Sequence, residues 1–299
     1  MVDLAGLTTE TRNPRTLELD TMPVTEFLEV MNDEDAKVAG AVRQAIPQIA
    51  AAVESIAGAF RSGGRLIYLG AGTSGRLGVL DAVECPPTFG TEPEQVVGLI
   101  AGGERAFVKA VEGAEDSAEL AVEELKGLDV TSADAVVGIA ASGRTPYVIG
   151  GLDYARSLGC PTVSVACNPG SEVSKHADVA IEVDNGPEVL TGSTRLKSGT
   201  SQKLILNMLS TASMVQVGKV YGNLMVDVKP TNEKLVERTK RIIATATGCD
   251  ADAAAQAYEQ SGGHAKTAIV MVLSGVGADE ARARLEAADG FVRRAIAEQ

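Results

Sequence analysis

Five short apolar runs punctuate the first two-thirds of the chain: "RLIYLG" (65–70), "EQVVGLIAG" (94–102), "DAVVGIAAS" (134–142), "PTVSVACN" (161–168) and "DVAIEVD" (178–184). Several are continuously apolar rather than alternating, as strands covered on both faces are. The stretches between them repeat apolar residues at helical spacing. Ahead of the first run, Val38, Val42, Ile46, Ile49, Val53 and Ile56 mark one face of a helix from Asp33 to about Phe60, capped by Asn32 or Asp33. A long helix is expected from about Arg195 to Val220. This βαβ alternation predicts an α/β fold: a doubly wound, mostly parallel five-stranded sheet flanked by helices.

The two ends read differently. "TETRNPRTLELDTMPVTEF" is polar and turn-prone, with Pro14 and Pro23 breaking any helix. Residues 1–32 are therefore an extended arm, either disordered or laid across another surface. From about Leu235 the chain holds only alanine-rich helical segments. Gly248, Gly262, Gly263, Gly275 and Gly277 supply the stops, and Asp250, Ser274 and Asp279 are candidate caps. The expected division is an arm (1–32), a main domain (33–234) and a small helical C-terminal appendage (235–299). A segment this short builds little core alone and is expected to dock on the main domain or on a second subunit.

Composition narrows the function classes. With 45% hydrophobic residues but 3% aromatics and no Trp, the core must be aliphatic and alanine-rich. A formal charge of −13 argues against nucleic acid or an anionic membrane as partner. A local loop can still bind a small anion against that field. No apolar run reaches the ~20 residues that span a bilayer. Cys85, Cys160, Cys167 and Cys249 show no C-x-x-C spacing, and no basic, apolar, cleavable segment precedes them. Free thiols in a reducing cytoplasm are expected.

The chemistry concentrates in two strand-to-helix turns. The first, "GAGTSGRL" (70–77), contains G-x-G-x-x-G at Gly70, Gly72 and Gly75. A dinucleotide site also needs an acidic residue at the end of the next strand. Here that strand ends in "GLIAGGER", with apolar and glycine residues in its place. Thr73 and Ser74 suit a compact tetrahedral anion instead. The second turn, "ASGRTPYV" (141–148), repeats the small-hydroxyl pattern with Ser142, Gly143 and Thr145. Either turn alone is readily a tight Ser/Gly-rich connection. Together, at strand ends that converge on one crevice, they favour a phosphate site.

With both loops in view, the chain resembles the sugar isomerase (SIS) superfamily, whose domains bind phosphosugars at such Ser/Thr loops. Longer blocks narrow the match: "TETRNPRT" (9–16), "LGAGTSGRLGVLDAVECPPTFG" (69–90), "IAGGERAFVKAVEGAEDS" (100–117), "GIAASGRTPYVIGGL" (138–152), "GPEVLTGSTRLKSGTSQKLILNMLST" (186–211) and "NLMVDVKPTNEKL" (223–235). These resemble the N-acetylmuramic acid 6-phosphate etherase family over nearly the whole chain. The resemblance implies an SIS-type sheet, cleavage of a D-lactyl ether on a phosphosugar, a role in cell-wall sugar recycling, a cytoplasmic homodimer, and no metal or other cofactor. The loops alone reach only "phosphosugar", and they leave open a phosphosugar isomerase or a non-catalytic sensor.

An alkyl ether resists direct hydrolysis, but the C2 proton of an open-chain aldehyde sugar is acidic. Abstraction of that proton, loss of lactate from C3 and addition of water need a base and an acid. Glu84 lies close to Pro86, which is expected to stop the helix after the first loop near Glu84. A helix C-terminus and partial burial would both keep a proton on it. Glu115 falls in a tight connection between helices, with Gly113 ending one, Asp116 capping the next and Glu119 completing a capping-box-like pattern. The resemblance implies that Glu84 is the proton donor and Glu115 a second catalytic residue. It also brings Glu188, Ser193, Thr194 and Lys197 to the border of the sugar site, where the capped start of a long helix is the competing reading. Gly72, Thr73, Ser74, Ser142, Gly143 and Thr145 form the expected phosphate cradle, with Arg76 and Arg144 as available cations. Neither histidine, His176 or His264, has metal-ligand companions in sequence, and His264 is expected near a helix start.

Overall fold

The apolar runs are all strands. This computed structural model describes residues 6–109, 111–229 and 232–297. Ala110, Pro230 and Thr231, from two of the family-like blocks, therefore lie outside the described residues. The strands are β1 (Leu66–Gly70), β2 (Val96–Ile100), β3 (Ala135–Ala140), β4 (Thr162–Ala166) and β5 (Val179–Glu182). They pair in parallel in the order β2-β1-β3-β4-β5. β1, β3 and β4 are buried at every position, while the edge strands β2 and β5 are only partly covered. Continuous burial is what their unbroken apolar runs encode.

Ahead of the sheet, the single helix expected from Asp33 to about Phe60 is instead two, α2 (Val38–Gln44) and α3 (Ile46–Arg61), and the end of the arm expected to be extended is itself helical, α1 (Val24–Asp35). Pro47 lies in the first turn of α3, where its missing N–H is harmless. In one unbroken helix its ring would crowd the carbonyl of Arg43. Likewise α1 starts directly after Pro23, which occupies its cap position.

Helix α4 (Gly72–Phe89) follows β1, α5 (Glu104–Val108) and α6 (Ala118–Gly127) follow β2, and α7 (Pro146–Ser157) follows β3. A Cβ on Gly138 of β3 would meet Val148 Cγ1 and Leu152 Cδ1 of α7 at 2.6 and 2.9 Å. A Cβ on Gly78 of α4 would lie 3.3 Å from Cδ1 of Ile139, the next residue of β3. Neighbouring strand residues point to opposite faces, so α4 and α7 cover opposite sides of the sheet. The sheet is doubly wound, as its sequence pattern predicts.

The expectation that α4 stops near Glu84 is not met: the helix runs through Pro86 and Pro87 to Phe89. Proline's fixed φ is itself helical, so the backbone can continue, but the prolines' N–H groups are lost and their rings press on the carbonyls of Ala82 and Val83. The end comes at Gly90, whose N–H bonds to the Pro86 carbonyl and whose φ is +63°.

After β5 comes the long helix α8 (Lys197–Gln216). The opening arm is ordered between residues 8 and 21 as three short 3-10 turns. Thr9 and Asn13 are buried although polar, because each is tied to a distant loop. Thr9 N–H donates to Asn168 Oδ1, and Asn13 Nδ2 donates to the Pro187 carbonyl at 3.1 Å. The arm is laid across the segments that follow β4 and β5.

The chain divides into two compact units: Met1–Val83 with Glu94–Ser210, and Glu84–Pro93 with Thr211–Gln299. The second contains a short hairpin that the apolar pattern did not announce, β6 (Val220–Tyr221) and β7 (Leu224–Met225). Helices α9 (Glu233–Thr247), α10 (Ala251–Gln260), α11 (Ala265–Ser274), α12 (Ala278–Ala287) and α13 (Val292–Ala295) complete it. Its core is aliphatic, built on Val226, Ile243, Ala268 and Ile269. Asp250 caps α10 and Gly248 and Gly275 close α9 and α11, as read from sequence. Ser274 and Asp279 do not cap: Ser274 ends α11, and Gly277 stands at the cap of α12.

Candidate active site

The strand order reverses direction between β1 and β3, and that switch point is where open α/β sheets bind ligands. Gly70 at the end of β1 pairs with Ile139 near the end of β3, so both hydroxyl-bearing loops emerge side by side. Close packing shapes the first. A Cβ on Gly75 would stand 2.5 Å from the Gly70 carbonyl oxygen, and one on Gly70 would stand 2.8 Å from Gly75 N. The glycines of G-x-G-x-x-G thus serve the tight turn from β1 into α4. Gly72 takes φ +54°. Ser74 is buried and donates from Oγ to Gln202 Oε1 at 2.9 Å.

In the second loop Gly143 takes φ +74°, and a Cβ there would stand 2.2 Å from Ser171 Cβ. Asn168, at the end of β4, donates to the carbonyls of Ala141 and Ser142 and to Thr9 Oγ1, so the arm and the loop are fastened by one amide. Thr145 precedes Pro146 at the start of α7 without capping it. The half-buried hydroxyls of Thr73, Ser142 and Thr145 make no hydrogen bond among the described residues. The switch point thus brings together three hydroxyls and two helix starts, groups of the kind that anion sites use.

The start of α8 closes this region. A Cβ on Gly199 would lie 3.5 Å from both Thr73 Cγ2 and the Thr194 carbonyl, which sets Thr194 beside the first loop. Ser193 is half-buried in the same turn. Glu188 is elsewhere engaged. Fully buried, it accepts from the N–H of Lys197 (3.0 Å), the N–H of Ser198 (2.9 Å) and Ser198 Oγ (2.9 Å). It caps α8, so the competing reading of this segment, the capped start of a long helix, accounts for its three contacts. Lys197 is likewise engaged within the protein: its buried Nζ donates to Glu34 Oε2 at 2.7 Å and to the Asn185 carbonyl at 2.8 Å. Burial opposes ionisation of Glu34, but Lys197 and Lys37 outweigh it and hold the carboxyl down at about 2.

Glu115 lies in a 3-10 turn, Ala114–Asp116, that packs against α7, and its side chain is exposed. Ser117, not Asp116, caps α6, accepting from Leu120 N–H at 3.1 Å. Glu84 is exposed within α4. Neither condition assumed for its proton-holding, a helix end or partial burial, is present in the single chain. Arg76 donates to the carbonyls of Ala106 and Phe107 and so closes α5. His176 pairs with Asp153 at 2.7 Å. Among the described residues no group of three His, Cys, Asp or Glu side chains is placed to hold a metal.

Residues 48–156 match the model of the glucokinase regulatory protein N-terminal SIS domain, and residues 116–212 that of the SIS domain. Over 293 residues the chain is 63% identical to the N-acetylmuramic acid 6-phosphate etherase of Exiguobacterium sp., covering 98% of this chain and 100% of that one. It is 63% identical over 295 residues to the etherase of Mycolicibacterium smegmatis, covering 99% of each. The chain belongs to the N-acetylmuramic acid 6-phosphate etherase family. Among solved structures, a phosphoheptose isomerase from Neisseria gonorrhoeae is 15% identical, covering 64% of this chain and 99% of its own, with a TM-score of 0.48.

Three features of this etherase-family site escape the linear pattern. Asn168 reads as an ordinary turn residue after β4, yet it joins the arm to the second loop. Gln202 is one polar residue inside a helix, yet it holds Ser74. Asp81 accepts from Tyr68 Oη at 2.9 Å and Ser210 Oγ at 3.1 Å, tying α4 to β1 and α8. Burial pushes its carboxyl up to about 6, against those hydrogen bonds.

Proposed function

We propose that this chain cleaves the D-lactyl ether of N-acetylmuramic acid 6-phosphate, releasing N-acetylglucosamine 6-phosphate and D-lactate as a carbon–oxygen lyase. The observation that carries the reading is 63% identity, over nearly the full length, to relatives named for that etherase. The two loops at the switch point supply the matching chemistry, an anion cradle for the sugar phosphate. Gly72, Thr73, Ser74, Ser142, Gly143 and Thr145 hold the phosphate end, with Ser193 and Thr194 at its border.

A base removes the C2 proton of the open-chain sugar, the C3–O bond breaks, and an acid returns a proton to the departing lactate oxygen. Water then adds across the C2–C3 double bond, with hydroxyl to C3 and hydrogen to C2. Glu84 serves as the acid and Glu115 as the base or acid–base partner. Both are exposed in the single chain. Leu80 and Val83, on the same helix as Glu84, are 45% and 58% exposed. A homodimer in which a second copy covers this stretch of α4 would shelter Glu84 and raise its proton affinity. We place the enzyme in the cytoplasm, in the recycling of cell-wall sugars.

The test is incubation with N-acetylmuramic acid 6-phosphate and assay of D-lactate. Stoichiometric lactate with N-acetylglucosamine 6-phosphate is expected. A rearranged phosphosugar without lactate would indicate an isomerase, and saturable binding without turnover a sensor.

A further inference from the structure

The second unit holds a cavity of about 520 Å³ that the reaction above does not use. Its floor comes from two places: Asp227 in the block at 223–235, and His264 and Lys266 at the start of α11. Lys266 Nζ lies 2.7 Å and Lys219 Nζ 3.3 Å from the same oxygen, Asp227 Oδ2. His264 Nε2 is 3.8 Å from Asp227 Oδ1. These are interior charges, with side-chain exposures of 7% for Lys266, 22% for Lys219 and 10% for Asp227.

One carboxylate therefore answers two ammonium groups and an imidazole. An ammonium has three donors, and among the described residues Asp227 is the acceptor that Lys266 finds. The remaining donors of a nearly buried lysine border the cavity, and a charge so desolvated calls for a counter-ion. Burial accordingly lowers the proton affinity of Lys266, with the attraction of Asp227 acting against it. His264 is oriented by its own helix: Nδ1 accepts the Thr267 N–H at the cap of α11, which leaves the neutral ring's proton on Nε2. At the rim, Lys229 is paired with Glu92 at 2.8 Å, and Glu286 is exposed. The floor carries two ammonium groups for one carboxylate, and Glu286 at the exposed rim is the acid that faces this excess.

Glycine keeps the space open. A Cβ on Gly290 would stand 3.4 Å from Lys266 Nζ, and one on Gly90 would stand 2.0 Å from the Asp227 carbonyl oxygen. Gly90 ends the helix that carries Glu84, so this cavity and Glu84 belong to one compact unit.

We propose that this cavity binds a compact oxyanion, a carboxylate or a phosphate, through Lys266, Lys219 and the Nε2–H of His264. Two sources share that chemistry: free inorganic phosphate, and a lactyl carboxylate if the etherase reading holds.

His264 supplies the probe. The chain has two histidines, so in a full-length His176→Gln variant the imidazole Cε1–H resonance reports on the cavity alone. Sodium phosphate and sodium D-lactate are titrated separately at constant pH, with sodium chloride matched for ionic strength as the control. A saturable shift with either anion, absent with chloride, is expected. It should weaken at least about tenfold in Lys219→Met, a partly exposed position that tolerates truncation, and vanish in Lys266→Met. Saturation with phosphate alone makes this a phosphate site independent of the etherase reading, and with D-lactate alone a carboxylate site. No saturable shift with either anion, or one unchanged in Lys219→Met, overturns the proposal.

Discussion

Ser74 and Gln202, 128 positions apart in sequence, are joined by a 2.9 Å hydrogen bond inside the protein. It fixes the first loop to the second turn of α8. Gln202 Nε2 is buried and has no partner among the described residues, so the bond from Ser74 to Oε1 is the amide's one anchor. Ser74→Ala should lower stability by about 1–3 kcal/mol, the cost of leaving a buried polar group unmatched. It should also raise KM for the phosphosugar more than it lowers kcat. Thermal unfolding together with initial-rate kinetics checks both, and an unchanged KM would remove Ser74 from the cradle.

Gly143 cannot be replaced without consequence. Its φ of +74° disfavours any side chain, and a Cβ would stand 2.2 Å from Ser171 Cβ. Gly143→Ala is expected to displace the second loop, raising KM about tenfold or more, equal to roughly 1.4 kcal/mol. A variant with wild-type kinetics would show that this loop does not hold the substrate.

The Glu34–Lys197 pair links stability to acid. Glu34 titrates at about 2 in the folded chain, below the ordinary glutamate value of 4.5. Its contribution is complete above pH 4.5 and is lost as pH falls through 2, amounting to about 3 kcal/mol. Lys197→Met removes the buried partner of Glu34 and leaves Lys37 on its other oxygen, for an expected loss of up to about 3 kcal/mol at pH 7, the lower end for a broken buried pair. Denaturant unfolding between pH 2 and 7 measures both effects. Glu34→Gln should flatten the acid limb.

Asp81 has the opposite sign. Its folded-state value of about 6 lies above the ordinary aspartate value of 3.8, so its favourable contribution is present below pH 3.8 and is lost as pH rises through 6. Asp81→Asn should abolish this slope and leave the protein more stable at pH 8, by up to about 3 kcal/mol. The difference between wild-type and variant unfolding curves across pH 4–8 is the measurement. A parallel pair of curves would mean that Asp81 ionises normally.

Glu84→Gln should lower lactate release by about a hundredfold or more while leaving substrate affinity within about tenfold. Near-normal turnover would remove Glu84 from the chemistry. In heavy water the product should carry deuterium at C2, and in ¹⁸O-water it should carry the heavy oxygen at C3. Heavy oxygen appearing in lactate instead would mean that a different bond is cleaved.

The linear sequence by itself determined the sheet, the two loops and the family. Each rests on a local signal: unbroken apolar runs dictate buried parallel strands, and glycines with small hydroxyls dictate the turns that follow them. Tertiary structure decided what the polar residues do. Glu188 caps α8 and Lys197 neutralises Glu34, because burial forces each charge to find a partner, and the partner can be as distant as 163 positions. Asn168 fastens an arm that reads as turn-prone, and α4 passes through two prolines whose φ is already helical. Such pairings depend on which surfaces meet when the chain collapses. Neither residue type nor spacing records that choice.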